Sequence, residues 1–177
     1  MANDLIAINQ NSKIALEKTK NLLSITKEIL KKQDNEWLDI LLDWAKKNII
    51  QEGTYFPKTK EELLEVKHVS IRWNRLKAVP KELFELEQIE ILELNNNALD
   101  ALPNELGNLS NLKELNLNIN GLKTLPNGIM KLQKLKLLNI KNNKYLELSN
   151  EQISWLNELK QSGCNIFYDK YKFNLGE

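Results

Sequence analysis

One histidine, His68, and one cysteine, Cys164, are all the imidazole and thiol chemistry in this 177-residue chain. A histidine-pair metal site is therefore excluded, and a Ser-His-Asp relay would have to be built on His68 alone. Nothing in the sequence near Cys164 supplies the positive charge that lowers a thiol pKa, so it reads as a packing residue. No GxxxxGK[ST] or GxGxxG loop is present to cradle phosphates. No catalytic, metal-binding or cofactor-binding residue is assigned, and an enzyme is not expected. What remains is recognition chemistry, concentrated where Arg72, Trp73 and Arg75 set an aromatic ring among guanidinium groups. Tryptophan and arginine dominate interface energies. With Lys67 the cluster also has the residue types of a phosphate-binding surface, but a formal charge of +1 and a pI near 7.7 argue against nucleic acid.

Those residues lie inside a periodic stretch. Asn74, Asn97, Asn120 and Asn143 stand 23 residues apart, in blocks that begin at Val66, Ile89, Leu112 and Leu135. In the first three blocks apolar residues recur at positions 1, 4, 6, 11, 14, 18 and 21, and position 15 is Pro80, Pro103 and Pro126. Positions 4 and 6 alternate as in a short strand with one buried face. Repeated strands of this kind pair into a parallel sheet that advances about 4.8 Å per block. The chain must then turn inside the stack, where its N–H and C=O groups lose water. An asparagine amide satisfies both kinds of group, so the column is expected to be a structural ladder and not a ligand site. Proline then opens a helical or 3₁₀ turn without wasting an N–H donor.

The blocks resemble the intracellular leucine-rich repeat of the LPxxLxxLxxL kind, over about residues 66–168. The resemblance implies an α/β fold. The expected form is a short leucine-rich-repeat solenoid of about four repeats, with a parallel concave sheet, an N-terminal helical cap and a C-terminal helix-strand cap. It also implies a non-catalytic module that binds a protein partner.

Caps are expected because a stack exposes apolar ends and unpaired strand edges. The chain divides accordingly into an N-terminal helical region over 1–65, repeats with their C-terminal cap over 66–168, and a polar tail over 169–177. An amphipathic helix is expected over 12–32, with an earlier start near Asp4 open. At about 31 Å it exceeds the ~19–24 Å depth of the stack, so it either caps the first repeat or meets a second copy. Self-association through these helices, as a structural or accessory protein, is the alternative to a protein-binding monomer. A second helix is capped by Asp34 or Asn35, is lined on one side by Trp37, Leu38, Leu41, Leu42 and Ala45, and ends by Gly53. Thr59 with Glu62 and Ser149 with Gln152 match capping boxes. Gly163 ends the helix that Ser149 opens, and Asn165 to Tyr168 reads as a final edge strand.

Positions 3, 5, 7 and 8 of each block point to the open side of the sheet. The first block offers His68, Ser70, Arg72 and Trp73, with Arg75 beside them, and the second Ile91, Glu93, Asn95 and Asn96. The third offers Glu114, Asn116, Asn118 and Ile119, and the fourth Leu137, Asn139, Lys141 and Asn142. Trp73 either stands exposed as an anchor or packs under the N-terminal helices. A four-repeat face barely supplies the ~800 Å² that a standard interface takes from each partner, so a peptide, loop or small domain suits it best. No apolar run reaches the ~18–20 residues that span a bilayer, so no membrane role is expected. The lone cysteine and the absence of a signal-like start favour the cytoplasm, with export as a signal-less effector left open. Asn-, Lys- and Ile-rich usage suggests a bacterial source.

Overall fold

The structure, a computed structural model, describes residues 17–18, 20–22, 35–51, 54–170 and 172. The chain divides into two compact units, Met1–Trp37 and Leu38–Glu177. In the first, the expected helix over 12–32 falls mostly outside the described residues, although 17–18 and 20–22 are helical. The second unit carries the repeats.

Its sheet has five parallel strands in sequence order: β1 (His68–Ser70), β2 (Ile91–Glu93), β3 (Glu114–Asn116), β4 (Leu137–Asn139) and β5 (Asn165–Phe167). Register follows the repeat, with His68, Ile91, Glu114 and Leu137 aligned across the first four strands and Asn165 completing the row. Every apolar template position of the first three blocks is buried, none more than 7% exposed. The periodicity is thus a direct record of which side chains leave water.

The asparagine ladder forms as expected. Asn97 Oδ1 accepts from the Asn74 and Leu76 amides, while its Nδ2 donates to the Ile71 and Leu94 carbonyls. Asn120 and Asn143 repeat the pattern one and two turns on, accepting from Leu99 and Leu122 and donating to carbonyls of their own and the preceding repeat. Each amide therefore closes its own turn and ties it to its neighbour. At the first repeat Asn74 Oδ1 accepts from the Ile50 and Gln51 amides, which stand in for a preceding repeat.

That contact explains a helix end. Helix α1 (Glu36–Asn48) buries Leu38, Leu41 and Ala45 as expected. It stops at Asn48, short of Gly53, which lies outside the described residues. The amides of Ile50 and Gln51 bond to Asn74, so a tertiary acceptor replaces the helical one. Trp44 of this helix meets Phe56 edge-on at 6.4 Å. Helix α2 (Lys60–Glu65) is capped by Thr59, whose hydroxyl accepts from the Glu62 amide. Glu62 bonds back to the Lys58 amide, one residue before the cap, so the box closes only on one side.

On the far side of the stack, Pro80, Pro103 and Pro126 lead into 3₁₀ turns at Lys81–Glu85, Asn104–Asn108 and Asn127–Lys131. In the fourth repeat Ser149 replaces proline, the capping box with Gln152 is complete, and α3 (Asn150–Gln161) is a full α-helix. Gly163 follows with φ of 91°. Its amide bonds to Lys160 O and that of Cys164 to Leu159 O, the pair of bonds that closes a Schellman turn. Cys164 is buried, and burial pushes its thiol pKa up.

Two residues of the expected polar tail, Asp169 and Lys172, are tied to the last repeat. Asp169 is buried, and its carboxylate accepts from the Asn142 amide. The Lys172 ammonium donates to the carbonyls of Asn143 and Leu146, and to that of Lys144. Carbonyls at the end of the ladder are thereby satisfied by side chains.

Candidate functional site

The strand alternation that buries Leu92 and Leu115 turns their neighbours outward, and the aligned register collects them on one open face. Of the residues expected there, His68, Trp73, Arg75, Glu114, Ile119, Lys141 and Asn142 are exposed. Arg72, Ile91, Glu93, Asn96, Asn116, Asn118, Leu137 and Asn139 are half-buried. Two expectations need correction. Ser70 is buried because Tyr55 pairs with it across an antiparallel bridge, closing the edge of β1. Asn95 is buried because the equivalent residues of the repeats on either side, Arg72 and Asn118, stand only about 4.8 Å away along the sheet.

Trp73 is 62% exposed among the described residues, and most of the N-terminal helical region lies outside them. Trp73 opens onto a cleft of about 620 Å³ lined by Ile50, Gln51, Trp73, Asn74, Arg75 and Asn96. Glu93 is the electrostatic centre of the first two repeats. Its Oε2 lies 3.1 Å from His68 Nε2 and 3.9 Å from Arg72 Nε. Burial raises the Glu93 pKa, but the polar and cationic groups of His68, Ser70 and Arg72 outweigh it and hold the carboxyl below its ordinary value. In the third and fourth repeats the asparagines are occupied with nearby backbone amides or with one another. Asn116 accepts from the Asn118 amide, Asn139 from that of Lys141, and Asn118 from the Asn142 side chain.

Three exposed side chains extend the face beyond the sequence-based set. Phe167, 49% exposed, pairs in register with Asn139 on β5. The period-2 rule applied to Asn165-Ile166-Phe167 would have found it. Tyr55, whose ring centre is 5.9 Å from that of His68, comes from the cap through a pairing that no local pattern announces. Ile50 is likewise delivered by the hook onto Asn74. Among the described residues no group of histidine, cysteine and carboxylate side chains could hold a metal. Nor is any helix among them long and apolar enough to cross a membrane.

Residues 65–122 match the leucine rich repeat family, and the matched stretch covers the first two repeats and enters the third. The remaining strands keep the same register. These repeats are leucine-rich repeats. Among solved structures, one of a leucine-rich repeat protein of Leptospira interrogans is similar, with 32% sequence identity and a TM-score of 0.51. The similarity covers 64% of this chain and 28% of that one, so the leucine-rich repeat chain described here spans less than a third of that protein's length. No curated protein sequence matches. Proteins with these repeats typically serve as protein-interaction modules.

Proposed function

We propose that this chain is a non-catalytic interaction module whose open, concave sheet face binds a peptide, loop or small domain of a protein partner. The observation that carries this reading is the exposed Trp73, flanked by Arg72 and Arg75 at one end of that face. An indole left in water on a rigid scaffold, beside two guanidinium groups, has the composition of an interface anchor. The occupied asparagines of the third and fourth repeats support it, because they hold the face in one geometry before any partner arrives. A cytoplasmic location and a bacterial source accord with the single cysteine and the Asn-, Lys- and Ile-rich composition, and we include both in the proposal.

The test is capture of a partner by the intact protein from its own cells, compared across Arg72→Ala, Trp73→Ala and Asn118→Ala. Trp73→Ala should weaken capture by about 2 kcal/mol or more, and the other two by less, with unchanged circular dichroism. Undiminished capture by all three would overturn the open-face reading.

A further inference from the structure

Position 8 of every repeat has a left-handed backbone, with φ of 63° at Trp73, 57° at Asn96, 52° at Ile119 and 60° at Asn142. Asparagine tolerates this region, but a bulky or β-branched side chain in it is a steric outlier. Trp73 and Ile119 are also 62% and 46% exposed, so burial does little to offset the strain. Strain kept on a surface points to a use for the side chains that bear it. The two occupy the same position two repeats apart, which sets them about 10 Å from each other.

Between them lies an unmet hydrogen-bonding capacity. The side-chain oxygens of Asn95 and Asn96 are shielded from solvent and have no hydrogen-bond partner among the described residues. Asn95 is only 9% exposed. Buried acceptors in native proteins are nearly always satisfied, so these two mark a place where a donor is expected. Arg75 beside Trp73 is exposed and makes no ion pair among the described residues.

Resting on the open-face reading, we propose that the stretch from Trp73 to Ile119 recognises an extended acidic peptide of polyproline II type. Residues i and i+3 of such a helix lie on one side about 9.3 Å apart, close to two repeat steps. Apolar side chains at those places rest on Trp73 and Ile119. Backbone N–H groups between them, which that conformation leaves unpaired, donate to the Asn95 and Asn96 oxygens once those side chains turn outward, a move that breaks no bond to either oxygen among the described residues. A carboxylate next to the first apolar residue meets Arg75. An α-helix fits less well, because its one-face neighbours at i+3 and i+4 lie only about 5–6 Å apart.

The test uses the full chain and fluorescein-labelled synthetic peptides read by anisotropy. The peptides carry two leucines three residues apart among glutamates, glutamines or lysines, with a fourth that sets the leucines two apart among glutamates. The glutamate peptide with three-residue spacing should bind tightest, and added salt should weaken it. Trp73→Asn and Ile119→Asn should each reduce its affinity roughly tenfold or more. Both should raise Tm by about 2–4 °C, since asparagine relieves the backbone strain. Arg75→Gln should abolish the preference for glutamate over glutamine and leave the glutamine peptide unchanged. Indifference to spacing, or full binding by both asparagine variants, would overturn the proposal. A lower Tm in both would also overturn it, by making the side chains packing elements. Self-association of the full chain in light scattering, abolished by Trp73→Asn while no peptide binds, would assign the face to a second copy instead. If Arg72→Ala and Asn118→Ala lose the cellular partner while every peptide fails, this inference falls and the open-face reading stands.

Discussion

At the scale of single residues, Glu93 shows how much a few side chains alter one another. His68, Ser70 and Arg72 surround it and hold its pKa below the ordinary 4.5 despite partial burial. A depressed carboxyl pKa means that the unfolded chain takes up the proton first as pH falls. The stabilisation is therefore fully present above about pH 4.5 and is lost as pH drops through the lower folded value. Glu93→Gln should remove that part of the acid sensitivity, and Tm profiles of the two proteins should converge in acid. Parallel profiles across the acid range would refute the assignment. Little of this cluster was legible in advance. Nothing local to His68 announces it, because its partners lie 25 residues away at Glu93 and, through the cap, at Tyr55. The backbone at Trp73 was partly legible. Asparagine at the same position of the second and fourth repeats is the residue that a left-handed turn prefers, and the tryptophan and isoleucine then stand out as exceptions.

At the scale of elements, the turns on the far side are set by what fits between repeats. Gly107 and Gly128 pack one 3₁₀ turn against the next. A Cβ on Gly107 would lie 2.4 Å from Gly128 O, and one on Gly128 would lie 2.0 Å from Asn104 O. Both contacts are with backbone, which has little room to yield. Gly128→Ala should destabilise the protein by about 1–3 kcal/mol through this overpacking. Gly163→Ala meets nothing within 4 Å and suffers only from its positive φ, so about 1 kcal/mol is expected. Urea unfolding of the two variants should rank them in that order. The helix boundaries follow the same division. Ser149 with Gln152 was readable because both bonds are local, whereas the end of α1 depends on an asparagine over 20 residues downstream.

At the scale of the whole repeat unit, stability is a chain of nearest-neighbour links, and the asparagines supply the polar part of each link. Asn97→Ala should strand the Asn74 and Leu76 N–H donors and the Ile71 carbonyl, while the Leu94 carbonyl keeps its bond from Asn120, destabilising the protein by about 3 kcal/mol. Asn74→Ala should instead release the segment at Ile50 and Gln51, and hydrogen exchange should rise there first. Uniform loss of protection in both variants would contradict this ordering. The sequence by itself determined the repeat length, the strand register, the buried positions and the ladder, because each depends on spacing within one repeat and recurs in the next. Only the tertiary structure decided how the face is used up or left open. It buried Ser70 under the Tyr55 bridge, sank Asn95 between neighbouring repeats, brought Ile50 beside Trp73, and left Trp73 in water. The physical reason is that periodicity fixes which way a side chain points, while its exposure depends on chain segments that arrive from outside the period.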